Sequence, residues 1–179
     1  MKNKSTLHAG KYLGLCIVNG WEFVSRVNAS GVVVLIAVNA DDALILVEQF
    51  RPALQKQVIE LPAGLVGDHD DPDEPMLVAA KRELLEETGY SCQSMELVMS
   101  CPSSAGMSDE IIHFFLAHEL VKTGCGGGDD SENITVHEVP LAGVDDWLLE
   151  RIAQGMPVDP KIYSALYWLG QRKRDHAER

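Results

Sequence analysis

With 179 residues, the chain has the length of one domain, or of one domain with a small extension. Its 46% hydrophobic content supplies a sizeable core, and no apolar run exceeds strand length, which excludes a disordered chain and a helical membrane span. A net charge of −12 would repel a nucleic-acid backbone, so that partner is not expected, whereas a small anion can bind where arginines or divalent cations invert the local field.

The N-terminus, Met1-Lys-Asn-Lys-Ser, is basic, but no apolar stretch of signal-peptide length follows it, and a cytoplasmic protein with no membrane partner is the expectation. Cys16, Cys92, Cys101 and Cys125 show no CxxC spacing and read as buried free thiols. Two short strands, 12–18 and 21–27, flank Asn19-Gly20, a strong hairpin signal. Runs 31–38 and 43–50 around Asn39-Ala-Asp-Asp42 predict a second hairpin, and 57–61 predicts a strand closed by Pro62-Ala-Gly64. A helix is expected over 74–88, with Asp73 as N-cap, Pro75 in the first turn and Gly89 just past the end. Its buried stripe would be Leu77, Ala80, Leu84 and Thr88. Strands 96–101 and 111–117 come next, then a mobile acidic loop over 122–131 with Gly126-Gly-Gly128, and a strand at 134–139. Helices 145–154 and 160–173 close the chain, the second capped by Asp159 with Pro160 at its first position. The pattern is mixed α/β (α+β) with hairpins, not an alternating βαβ series.

Acidic residues cluster at 68–74, 83–87, 129–132 and 145–146, a first pointer to metal chemistry. At about 100° per residue, Glu83 and Glu87 lie one turn apart on one helix face, with Glu86 beside them. Three carboxylates on a short arc repel one another unless a hard cation neutralises them, and oxygen-only ligation suits Mg²⁺, with Mn²⁺ as a substitute. Arg82 can pair with Glu86 at i+4 and orient it. The competing reading is a solvated Glu-rich helix face.

The segment Leu61-Pro-Ala-Gly64, Glu74 and Arg82-Glu-Leu-Leu-Glu-Glu-Thr-Gly-Tyr90 resembles a Nudix box, matching the family spacing from Glu74 to Tyr90. Upstream it departs: the family's glycine position is Asp68 here, so Gly64 is read as the box glycine, with extra acidic residues between it and the helix. The resemblance implies a Nudix-like α/β/α sandwich with a mixed sheet over 31–179 and an N-terminal β-hairpin extension over 1–30. It also implies Glu83 and Glu87 as principal Mg²⁺ ligands, Glu86 as a ligand or just behind them, and the Ala63 carbonyl completing the site.

Features outside the box resemble the ADP-ribose pyrophosphatase branch of that family. The resemblance implies that Arg51, in Glu48-Gln-Phe-Arg51-Pro, contacts the diphosphate or its sugar. In Trp21-Glu-Phe-Val-Ser-Arg26 it implies an aromatic face, a carboxylate and a cation holding adenine, in Trp21, Glu22 and Arg26. Tyr12 would stack on the base from a second copy, for this branch typically dimerises by exchanging the N-terminal region. Ordinary hairpin packing competes for Trp21 and Tyr12. The loop Ser104-Ala-Gly-Met-Ser-Asp-Glu110 would lie beside the terminal ribose, with Glu110 as a ribose contact or a turn cap. The proline characteristic of ADP-ribose specialists is replaced by Ala105, which opens other nucleotide sugars. The general base would come from the acidic loop after the box, as Glu132, with Asp130 second and Glu86 next. The expected activity is Mg²⁺-dependent cleavage of a nucleoside-diphosphate sugar by a homodimer, ADP-ribose first, with GDP-mannose or a broad range of nucleotide sugars as alternative. A nucleotide-sugar sensor on the same fold is the reading from another class.

Overall fold

The computed structural model of the chain describes residues 4–67, 71–128 and 133–177. The strands are β1 (Ser5–Ala9), β2 (Leu13–Val18), β3 (Trp21–Arg26), β4 (Gly31–Ala37), β5 (Ala43–Arg51), β6 (Lys56–Glu60), β7 (Ala63–Val66), β8 (Tyr90–Pro102), β9 (Ile111–Lys122) and β10 (Ile134–Pro140). Helix α1 spans Met76–Thr88, α2 Val144–Ala153 and α3 Lys161–Ala177.

The uninterrupted apolar run of β4 is explained by its two buried faces. Val33, Leu35 and Ala37 pack with Ala79, Ala80 and Leu84 of α1, while Val32, Val34 and Ile36 pack with Leu148 of α2 and Ile162 and Ala165 of α3. A two-residue period thus feeds two cores from one strand. Helices lie on both sides of the strands, giving the expected α/β/α arrangement. Strand order is β7-β4-β9-β8 in one sheet, with β4 and β9 parallel, and β10-β5-β6 in a second, wholly antiparallel sheet.

The hairpin expected between 31–38 and 43–50 does not form. The two segments share one bridge, Val38 with Leu44, and then part into different sheets. Both are apolar on both faces, so each becomes an inner strand with partners on either edge, and those distant partners replace the local one. The turn between them is held by Asn39, whose Oδ1 accepts the N–H groups of Asp41 and Ala43, both at 3.0 Å.

The first hairpin forms as expected, with Val18 opposite Trp21 and both Asn19 (φ 54°) and Gly20 (φ 83°) left-handed. It is extended by β1, which sequence patterning does not reveal, so residues 5–26 make a three-stranded sheet rather than a two-stranded one. That sheet joins the body where Val24 N–H donates to the Met107 carbonyl at 2.8 Å and Lys4 pairs with Asp109 at 2.8 Å. Strand β7 is also new; it continues past Pro62 because its backbone pairs with β4.

Helix α1 starts later than expected. Pro75 occupies the N-cap position without a side-chain cap, and Asp73 does not take that role. Gly89 (φ 73°) ends the helix as expected. Ala80, Leu84 and Thr88 are buried, but Leu77 is exposed, because the buried face is turned to include Ala79, Glu83 and Glu87. Asp159 accepts the Lys161 N–H at 2.8 Å, as the sequence suggests for α3. The four cysteines are free, but Cys16 alone is buried; Cys92 and Cys101 are half-buried and Cys125 is exposed. Among the described residues, no helix is long and apolar enough to cross a membrane.

Asn39→Ala removes the acceptor for two backbone N–H groups at the junction of the two sheets. It should lower unfolding free energy by about 1–3 kcal/mol in urea titration, with turnover unaffected.

Candidate active site

The last turns of α1 present Arg82, Glu83, Glu86 and Glu87 together. Arg82 grips Glu74 with two bonds, Nε to Oε1 at 3.0 Å and Nη2 to Oε2 at 3.1 Å. Its Nη1 donates to Glu83 at 2.9 Å and to Glu86 at 3.0 Å, and Nη2 also donates to the Leu65 carbonyl at 3.1 Å. One guanidinium therefore ties the segment before the helix, strand β7 and two carboxylates of α1 into a single unit. Burial opposes the charge of Arg82, but the bonds to Glu74 and Glu86 and the charge of Glu83 outweigh it, and its pKa lies above the ordinary arginine value. The predicted Arg82–Glu86 pair is present as one arm of this network.

Strand β7 supplies the opposite wall. A Cβ on Gly64 would lie 1.9 Å from Cδ of Glu83, so any side chain here would push that carboxylate from its present place. Glu87 is 2% exposed and accepts the Ala63 N–H at 3.0 Å; Glu83 is 8% exposed. Glu74, Glu83, Glu86 and Glu87 bring four formal negative charges beside the single positive charge of Arg82. Among the described residues no three such side chains converge on one point, because Glu83 and Glu86 are turned to Arg82 and Glu87 to Ala63. The donor set is wholly oxygen, its charge surplus is large, and the Gly64 cradle holds Glu83 at the cleft. These properties fit a hard divalent cation.

A cleft of about 350 Å³ opens in front of this wall, lined by Ala63, Glu83 and Glu86 on the carboxylate side. Arg26, Arg51 and Glu110 line it as well. Arg51 is held by Glu60 through Nε–Oε1 at 2.7 Å and Nη2–Oε2 at 2.5 Å; Arg26 is held by Glu110 at 2.5 Å. Both guanidinium groups are thus anchored at the cleft by a carboxylate, Arg51 through its Nε–Nη2 edge and Arg26 through Nε.

Two charged lining residues escape sequence reasoning. Glu60 is a buried carboxylate within the apolar run 58–61, and that lone charge was the available signal. Lys161 reaches the cleft because Pro157–Asp159 runs beside β6, with Ile59 N–H donating to Pro157 at 3.0 Å and Asp159 N–H to Ile59 at 2.9 Å. No local pattern announces it.

Of the four residues expected at the nucleobase, Arg26 lines the cleft, and Tyr12, Trp21 and Glu22 do not. Trp21 is 64% exposed, and its Nε1 donates to the Gly106 carbonyl at 3.2 Å, so it touches the 104–110 loop and not the cleft. Glu22 is exposed, and Tyr12 lines a separate recess with Arg26 and Leu65. Glu132 and Asp130 lie outside the described residues. The glycine-rich flank before them is bonded to α1: Gly127 and Gly128 donate to the carbonyls of Glu87 and Glu86.

The chain is similar to several known proteins. The NUDIX domain family matches residues 27–158. The chain is 37% identical to the methanol dehydrogenase activator of Bacillus methanolicus over 140 residues, 78% of this chain and 71% of that protein. It is 38% identical to the ADP-ribose pyrophosphatase of Bacillus subtilis (strain 168) over 112 residues, 62% of this chain and 58% of that one. It is 32% identical to the GDP-mannose pyrophosphatase of Salmonella typhimurium over 148 residues, 78% of this chain and 73% of that protein. The crystal structure of an ADP compounds hydrolase superposes with a TM-score of 0.72 over 97% of this chain and 93% of that chain; at 22% identity it shows the shared fold. Because the matched span takes in well over half of the chain, including the carboxylate helix, the chain belongs to the NUDIX domain family.

Proposed function

We propose that the protein is a divalent-metal-dependent hydrolase of nucleoside-diphosphate sugars, acting first on ADP-ribose to give AMP and ribose 5-phosphate. The observation that carries this reading is the cleft, where Glu83 and Glu86 share a wall with Ala63 and where Arg26 and Arg51 are held ready by Glu110 and Glu60. Glu83, Glu86, Glu87 and the Ala63 carbonyl would hold Mg²⁺, for which Mn²⁺ can substitute. Held there, such an ion would supply Lewis acidity, which offsets diphosphate charge and makes water more acidic.

Arg51 binds and orients the diphosphate, Arg26 reaches toward the adenine, and Arg82 keeps Glu86 in place. Glu132 is proposed as the base that takes the proton from water as its oxygen bonds to phosphorus and the P–O bridge breaks. GDP-mannose is the second reading, supported by Ala105 in the place of the specialist's proline and by the GDP-mannose pyrophosphatase relative. The N-terminal sheet exposes Leu7, Leu13, Leu15 and Trp21. These faces support a homodimer in which Trp21, Glu22 and Tyr12 complete the base site of a second copy.

Turnover over a panel of nucleotide sugars with Mg²⁺ tests the activity. ADP-ribose should give the highest kcat/KM, and a panel without turnover would overturn the proposal. Glu83→Gln and Glu87→Gln should each lower kcat at least about 10²-fold with the fold retained. Gly64→Ala should lose a similar factor, because its Cβ displaces the Glu83 carboxylate. In the same assay Glu132→Gln should lower kcat with KM little changed; a loss in Asp130→Asn instead moves the base by two residues. Light scattering should give twice the 19.6 kDa chain mass, and an active monomer would refute the shared site.

A further inference from the structure

Beyond β9 the chain turns back across the end of α1. Thr123 and Gly124 donate to the Gly89 carbonyl at 2.8 and 3.0 Å. Gly127 then donates to the Glu87 carbonyl at 2.9 Å and Gly128 to the Glu86 carbonyl at 3.1 Å. Gly126, Gly127 and Gly128 are all left-handed, with φ of 68°, 114° and 82°. A Cβ on Gly126 would lie 2.5 Å from the Thr88 carbonyl carbon and 2.6 Å from the Glu87 oxygen, so here two backbones meet with no side chain between them.

Gly89 ends α1 locally, its N–H returning to Leu85 at 2.9 Å. Closure by the next residue satisfies one of the last four helix carbonyls and leaves those of Glu86 and Glu87 to the strap. Three consecutive glycines carry a large entropic cost, and ordering them must be offset by something specific. The two carbonyls they reach belong to Glu86 and Glu87, whose side chains form the acidic wall. These carbonyls also sit at the negative end of the helix dipole, beside carboxylates that it disfavours, and donated N–H groups offset that potential.

We propose that the Gly126–Gly128 strap is a positioning element for the metal-binding carboxylates, fixing the peptide planes of Glu86 and Glu87 and hence the directions of their side chains. The inference rests on the reading that α1 holds a divalent ion. The strap touches neither ion nor substrate; it acts through the backbone of the residues that do.

Calorimetric titration of the full-length protein with Mn²⁺ alone, without substrate, tests it. Gly126→Ala should retain its helical circular dichroism and weaken Mn²⁺ binding by about 10- to 100-fold, the usual loss when a partner behind a metal ligand is removed. Gly124→Ala should bind Mn²⁺ as the unaltered protein does, because its Cβ would meet only Gly89 Cα at 3.8 Å. A folded Gly126→Ala protein with unchanged Mn²⁺ affinity would overturn the proposal. If Gly126→Ala does not fold, Gly127→Ala, strained at φ 114° but with its nearest neighbour at 3.9 Å, should show the same loss. If both unfold, the strap serves folding alone and the positioning role is rejected. Failure of the unaltered protein to bind Mn²⁺, or binding that survives Glu83→Gln, would instead strike the metal reading itself, and the strap's role would fall with it.

Discussion

The guanidinium of Arg82 is the point on which the site depends. Carboxylates spaced along one helix face repel each other, and two of those on α1 are largely withdrawn from water. Arg82 offsets this by reaching Glu83 and Glu86 from their own helix while locking onto Glu74 ahead of it. Several local departures follow. Glu74 also accepts the Gly67 N–H at 3.0 Å, which ties the residue after β7 to the start of the helix. The helix start is thus held by a carboxylate–arginine clamp, and the Asp73 cap expected from local preference is not used.

The helix was legible in the sequence because its signals are short in range: a left-handed glycine at its end and charges at fixed spacing. The Asn19-Gly20 hairpin was legible for the same reason. The pairing of the central strands was not. The segments 31–38 and 43–50 are equally apolar, and only distant partners, β9 for one and β10 for the other, decide that they separate. Glu60 and Lys161 were hidden similarly. One is a charge explained by Arg51 across a strand pair, and the other arrives through a segment more than a hundred positions beyond β5 in the chain.

The two sides of the cleft differ in how they are built. The carboxylate wall stands on α1 and β7, both packed against β4. The arginine side is assembled from separate pieces: Arg26 at the end of the N-terminal sheet, Arg51 at the end of β5, and Glu110 just before β9. Such a division suits a site whose acidic half must stay rigid while its substrate side changes with loops and termini.

The cradle at Gly64 has a consequence for how this chain can vary. The Glu83 carboxylate fills the volume that any side chain at 64 would occupy, so two positions far apart in the chain compete for one space. Neither can be considered alone. A larger residue at 64 is compatible only with a shorter or retracted acid at 83, and shortening the acid moves its oxygens away from the cleft. The bare backbone at 64 and the acid at 83 therefore set each other's position, and enlarging the one displaces the other.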